Sequence, residues 1–127
     1  MALMLVVDDE VRIREVLELI LSELGHDVLT CVDGKAAVAA VDQAPVDLVI
    51  TDVIMPNMDG IEVLLSLKES HPGLPVVVMS GGGPYDTRIL LKTAGLLGAV
   101  VTLEKPFGPQ EVTQAIEQAL GAPRDAH

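Results

Sequence analysis

Aromatic side chains are almost missing from this sequence: Tyr85 and Phe107 stand alone, and there is no tryptophan. Any core must therefore be aliphatic, built from Val, Leu, Ile, Met and Ala. Basic residues are scarce as well, 8 Lys and Arg against 19 Asp and Glu, for a formal net charge of -11. That deficit argues against a basic face able to neutralise nucleic-acid phosphates. It argues equally against an anionic membrane surface, and it suits divalent cations and basic partner surfaces. Cys31 is the one cysteine, so no intrachain disulfide can form, and it reads as a small core residue. No apolar run reaches membrane-spanning length. Met1 leads straight into Leu3–Val7 without the basic segment that opens a secretory signal. The expectation is a cytoplasmic protein with neither nucleic acid nor membrane as partner.

What is present is a regular alternation. With 50% hydrophobic residues in 127, the chain has enough apolar material for one domain. Leu3–Val7 is a short, continuously apolar run, as in a strand buried on both faces. From Glu10 to Leu24 the spacing becomes helical, with Ile13, Val16, Leu17, Ile20 and Leu24 as the inner stripe. Asp8 or Asp9 is expected to cap that helix, and Gly25 suits the left-handed position after its end. A strand at Asp27–Cys31, a helix at Asp33–Asp42 and a strand at Asp47–Thr51 follow. Met55–Gly60 reads as a turn. Next come a helix through Ile61, Leu64, Leu65 and Leu67, and a strand at Pro75–Met79. A Gly-rich loop at Ser80–Pro84 leads to an apolar helix from about Asp86 to Leu97 and a strand at Val100–Leu103. The last helix opens at Gly108-Pro109 and buries Val112, Ala115, Ile116, Ala119 and Leu120.

Strict strand–helix alternation predicts an α/β fold, a doubly wound parallel sheet of five strands with five helices on its two faces. In such sheets a site forms at the carboxyl ends of the strands, near a switch point. Here those ends carry Asp8 and Asp9, then Asp52, then Ser80, then Lys105. Two unit charges about 4 Å apart repel by roughly 4 kcal/mol at an effective dielectric near 20. Three carboxylates together therefore call for a cation or for raised pKa values. Mg²⁺, a hard ion taking oxygen ligands, fits. A carboxylate nucleophile, a metal, a lysine and a hydroxyl make a phosphoryl-transfer site. The first turn, DDE, has neither GxGxxG nor GKS/T, which leaves no nucleotide cradle.

VVDDE after the first strand, ITDVIMPNMDG after the third, VVVMSG after the fourth and LEKPF after the fifth resemble response-regulator receiver domains. The resemblance covers essentially Leu3 to Leu120, with a receiver domain over residues 1–121, a short tail over 122–127 and no output domain. It implies a flavodoxin-like strand order 2-1-3-4-5. It also implies roles: Asp52 as phosphoacceptor, and Asp9 as direct metal ligand with Asp8 helping through water. The backbone carbonyl of Ile54 completes the metal site, Lys105 contacts the phosphoryl group, and Ser80 is the hydroxyl that moves onto it. Lys105–Pro106 would be a cis peptide. The phospho-donor would be a phosphohistidine on a histidine kinase or phosphotransfer protein. Such domains catalyse only their own Mg²⁺-dependent phosphorylation and dephosphorylation, and act as switches, altering a surface bound by a downstream protein.

Some positions depart from the family. Thr102 stands where receivers usually carry an aromatic switch residue, and a small β-branched side chain cannot swing between two large positions. Signalling is expected to run through the Ser80 loop and the next helix instead, a reading that unchanged hydrogen exchange there under phosphomimetic loading would sink. The segment from Ser80 to Lys105 is longer than is usual in the family by a few residues, with the extra length at Gly81–Gly83, read as a plain flexible turn or else as a loop whose N–H groups approach a phosphate. Ile54 and Gly82 occupy the positions that tune dephosphorylation, and neither can orient a water through its side chain. In the helix that follows, Ile89, Leu90, Leu91, Ala94, Leu96 and Leu97 exceed what one face can bury. Either a homodimer forms through it or its neighbours cover it. His26, His71 and His127 have no metal spacing and read as surface residues. A Mg²⁺-dependent phosphohydrolase would want a second Asp at position 54, where Ile54 stands. The remaining alternative is a degenerate receiver used as a phosphorylation-independent binding module.

Overall fold

The computed structural model describes residues 2–52, 60–80 and 101–121. The elements in chain order are β1 (Leu3–Val7), α1 (Val11–Glu23), β2 (Asp27–Cys31), α2 (Gly34–Gln43) and β3 (Leu48–Asp52). Then come α3 (Gly60–Ser70), β4 (Val76–Ser80), β5 (Val101–Glu104) and α4 (Pro109–Gly121). The five strands form one parallel sheet in the order β2-β1-β3-β4-β5, as the resemblance implies. Four of the five expected helices lie among the described residues. The helix expected over Asp86–Leu97, the turn at Met55–Gly60 up to residue 59, the loop residues 81–84, Ile54 and the tail lie outside them.

Alternation along the doubly buried strands sorts the core into two layers. Met4 and Val6 of β1, Ile50 of β3, and Val77 and Met79 of β4 face α1 and α4. They meet Leu17, Ile20 and Leu21 on α1 and Val112, Ala115, Ile116 and Ala119 on α4. Leu5, Val7, Val49, Val76 and Val78 face the other way, onto Ala37 and Val41 of α2 and Val63, Leu64 and Leu67 of α3. β2 is an edge strand, so Leu29 and Thr30 stay exposed while Val28 and Cys31 pack partly against the two layers.

Local chemistry sets most helix ends. Asp33 caps α2 by accepting the Ala36 N–H at 2.9 Å. Glu111 reaches back to the Gly108 N–H at 2.9 Å, with Pro109 as the first helical residue of α4. Gly25 follows α1 at φ 91°, and the N–H groups of Gly25 and His26 bond the carbonyls of Ser22 and Leu21.

Two expectations about α1 are corrected. Glu10, not an aspartate, sits at its N-cap and makes no side-chain capping bond. Asp8 is held one step earlier, where it accepts the N–H of Glu10 itself. The inner stripe is also rolled: Leu17, Ile20 and Leu21 are buried, while Val16 and Leu24 are exposed. Leu21, four residues beyond Leu17, stacks on the same face, and Leu24 lies past the last turn. On α3, Val63, Leu64 and Leu67 are buried and Leu65 is exposed. Among the described residues, no helix is long and apolar enough to cross a membrane.

Candidate functional site

The chain leaves β1 toward β2 on one side and returns through β3 to β4 and β5 on the other. The crevice between the carboxyl ends of β1 and β3 is thus the topological switch point. Asp8 follows β1 directly, Asp52 ends β3, and Lys105 follows β5. The Lys105 Nζ donates to Asp52 Oδ2 at 2.9 Å and to Asp8 Oδ2 at 3.1 Å. One ammonium therefore bridges two carboxylates that would otherwise repel. Asp9 is exposed at the rim. Asp8, Asp9 and Asp52 each bring a carboxylate oxygen to a common place, all within 4.8 Å of one another.

Asp8 is 0% exposed, an extreme position for a carboxylate. Burial pushes its pKa up. The Glu10 N–H bond pulls the other way, Asp52 adds like-charge repulsion, and Lys105 opposes it. Burial works against the charged form of Lys105, yet its bonds and attraction to Asp52 and Asp8 leave its pKa raised. The ammonium is thus firmly protonated, and the strain of the cluster falls on Asp8. An all-oxygen set of three carboxylates, with more negative charge than one lysine offsets, fits a hard divalent ion such as Mg²⁺.

The other expected site residues are placed unevenly. Ser80 ends β4 and pairs with Glu104 in the backbone register, while Ile54 lies outside the described residues. Thr102 pairs with Val78 and is exposed. Lys105–Pro106 is cis. His71 bonds Asp42 across α2 and α3, and His26 accepts the Ala2 N–H, both at the opposite end of the sheet. One residue near the site escaped the sequence reading. Arg14 Nη1 donates to the Asp8 carbonyl at 2.8 Å, and only the geometry reveals it.

The fold and this cluster define a class, a doubly wound sheet presenting carboxylates and a lysine at its switch point. The family model of the response regulator receiver domain matches residues 4–117. The chain belongs to the response-regulator receiver family. It is 40% identical over 109 residues to the transcriptional regulatory protein TcrA of Mycobacterium tuberculosis, covering 85% of this chain and 42% of that protein. It is 36% identical over 115 residues to the DNA-binding transcriptional regulator NtrC of Salmonella typhimurium, covering 91% of this chain and 24% of that one. The chain thus spans less than half the length of these two curated relatives. Among solved structures, the receiver domain of NtrX from Brucella abortus superposes with a TM-score of 0.88 at 37% identity, covering 94% of this chain and 99% of that one. The chemotaxis protein CheY4 of Vibrio cholerae superposes with a TM-score of 0.84 at 29% identity over the same shares.

Proposed function

We propose that this receiver accepts a phosphoryl group on Asp52 from a phosphohistidine of a histidine kinase or phosphotransfer protein. The observation that carries the reading is the Lys105 ammonium held between Asp52 and the buried Asp8. In the reaction, an Asp52 oxygen attacks phosphorus in line and forms the acyl phosphate. The phosphorus–nitrogen bond breaks, and its electron pair returns to the imidazole. Lys105 supplies positive charge to the equatorial oxygens and holds the carboxylate in place. Asp8, Asp9 and Asp52, with the Ile54 carbonyl, would hold Mg²⁺, which when bound neutralises charge on the transferring group. Asp9 would be its direct ligand, with Asp8 helping through water, as the family resemblance implies. Ser80 is the hydroxyl that answers the phosphoryl group, and a surface recognised by a downstream protein changes as a result. The domain acts as a switch and turns over only its own phosphorylation.

The test is incubation with acetyl phosphate and Mg²⁺ followed by an intact mass, with Asp52→Ala and metal-free controls. One added phosphoryl that requires both Asp52 and Mg²⁺ is expected. An adduct that survives in Asp52→Ala would sink the assignment. So would the absence of an adduct with acetyl phosphate and with phosphorylated kinases and phosphotransfer proteins alike.

A further inference from the structure

The start of α1 breaks two local rules. Glu10 at its N-cap makes no capping bond, and no acidic residue stands in the first turn. Arg12 and Arg14 stand there instead, at the end of the helix where the aligned peptide dipoles disfavour cations. A conflict between local preference and sequence invites a reason elsewhere. Arg14, a partly buried residue, supplies one, because its Nη1 donates to the backbone carbonyl of Asp8 at 2.8 Å.

That carbonyl belongs to the peptide joining Asp8 to Asp9, and a peptide unit is planar. Fixing its oxygen fixes the plane, and with it the direction in which the Cα of Asp9 departs. The Asp8 side of this peptide is already anchored: Asp8 N–H bonds the Cys31 carbonyl at 3.2 Å, and Asp8 Oδ1 accepts the Glu10 N–H at 2.9 Å. Asp9, by contrast, is exposed, and its carboxylate joins the cluster from the rim. We infer that Arg14 is a positioning residue for the metal site, acting through the Asp8–Asp9 peptide to aim the Asp9 carboxylate. The inference rests on the proposed Mg²⁺ site.

Charge alone and positioning predict opposite signs, which makes the idea testable. A guanidinium beside the cluster repels a divalent cation, so removing it should tighten binding if nothing else changes. If Arg14 positions Asp9, removing it should weaken binding. The experiment is a Mg²⁺ titration of the unphosphorylated protein followed by amide chemical shifts, with melting temperature recorded alongside. Arg14→Met is expected to bind Mg²⁺ about tenfold more weakly, at the low end of what loss of an outer-shell partner does. Arg14→Lys, which keeps the charge and a donor, is expected to return to within about threefold of the wild type. Arg14→Gln, a good helix former too short to reach the carbonyl, carries the same prediction as Met should the Met variant not fold. Binding by Arg14→Met or Arg14→Gln as tight as wild type, or tighter, overturns the role of Arg14 while leaving the metal site intact. A wild-type chain that shows no saturable shift with Mg²⁺ overturns the metal site and this inference with it.

Discussion

Replacing Lys105 by Met should reveal how much of the fold's stability depends on one ammonium. The variant keeps the aliphatic stem and removes the charge that sits 2.9 Å from Asp52 and 3.1 Å from Asp8. At about 3 Å and an effective dielectric near 20, each attraction amounts to roughly 5–6 kcal/mol before the cost of desolvating the ions. Removing one partner of a buried pair, and stranding the other, typically costs about 3–5 kcal/mol. The Lys105 side chain retains 17% exposure and that of Asp52 13%. Solvent therefore screens part of the loss, and about 3 kcal/mol is the appropriate figure. With an unfolding entropy of about 2.1 cal/mol/K per residue, this corresponds to a melting temperature lower by roughly 10 °C.

The deficit should depend on pH with a definite sign. Asp8 has its pKa raised by burial, and Lys105 is among the groups that hold it down. In the variant the pKa rises further. Between the unfolded and folded pKa values the folded state binds more protons, so stability falls as pH rises through that window and recovers as pH falls. The variant should therefore approach wild type in mild acid and differ most at neutral pH. Mg²⁺ should narrow the neutral gap, because it binds only the folded state and binds the variant, which lacks the repelling ammonium, more tightly than wild type. The assay is thermal unfolding by far-UV circular dichroism across pH, with and without Mg²⁺. A neutral-pH melting temperature within about 2 °C of wild type, or a deficit that does not change with pH, would refute the reasoning.

Other consequences follow from the same site and fold. Asp8→Asn keeps an oxygen for the Glu10 N–H, leaves Lys105 paired with Asp52 and removes a buried charge that the fold disfavours; urea unfolding at neutral pH should show the metal-free protein more stable. A less stable Asp8→Asn would mean that the attraction to Lys105 outweighs burial. Gly25→Ala places a Cβ in open space at φ 91°, so only backbone strain of about 1–2 kcal/mol should appear in the urea midpoint. With Ile54 and Gly82 unable to orient a water, the acyl phosphate should decay slowly in a mass-spectrometric time course; a lifetime of only seconds would count against this.

The sheet is legible in the sequence because buried parallel strands are written as apolar runs with charges at their ends. Val7–Asp8 and Thr51–Asp52 mark both the end of a strand and the start of the site, so finding the strands finds the carboxylates. The orientation of α1 is less legible. Ile13, Val16, Leu17, Ile20, Leu21 and Leu24 offer two overlapping stripes, and packing on the sheet and α4, not periodicity, selects the one through Leu21. Asp8 was ambiguous for a similar reason: an aspartate before a helix looks like a cap. Its actual bond to the Glu10 N–H serves the turn and holds the carboxylate inward. Arg14 was invisible to sequence reasoning because an arginine in a helix reads as solvated surface, and its partner is a backbone carbonyl, which has no sequence signature.

The bridge from Lys105 spans 97 residues back to Asp8 and 53 back to Asp52. During synthesis at about 5–20 residues per second, β1 and β3 leave the ribosome several seconds before the lysine does. Throughout that interval the two carboxylates lack this ammonium, and any offset to their repulsion has to come from elsewhere, such as a divalent cation. The residue that follows the last strand thus delivers the charge that bridges the ends of the first and third. Assembly of the site is tied in this way to completion of the fold: a nascent chain halted before Lys105 carries the acidic residues but not the arrangement that joins them.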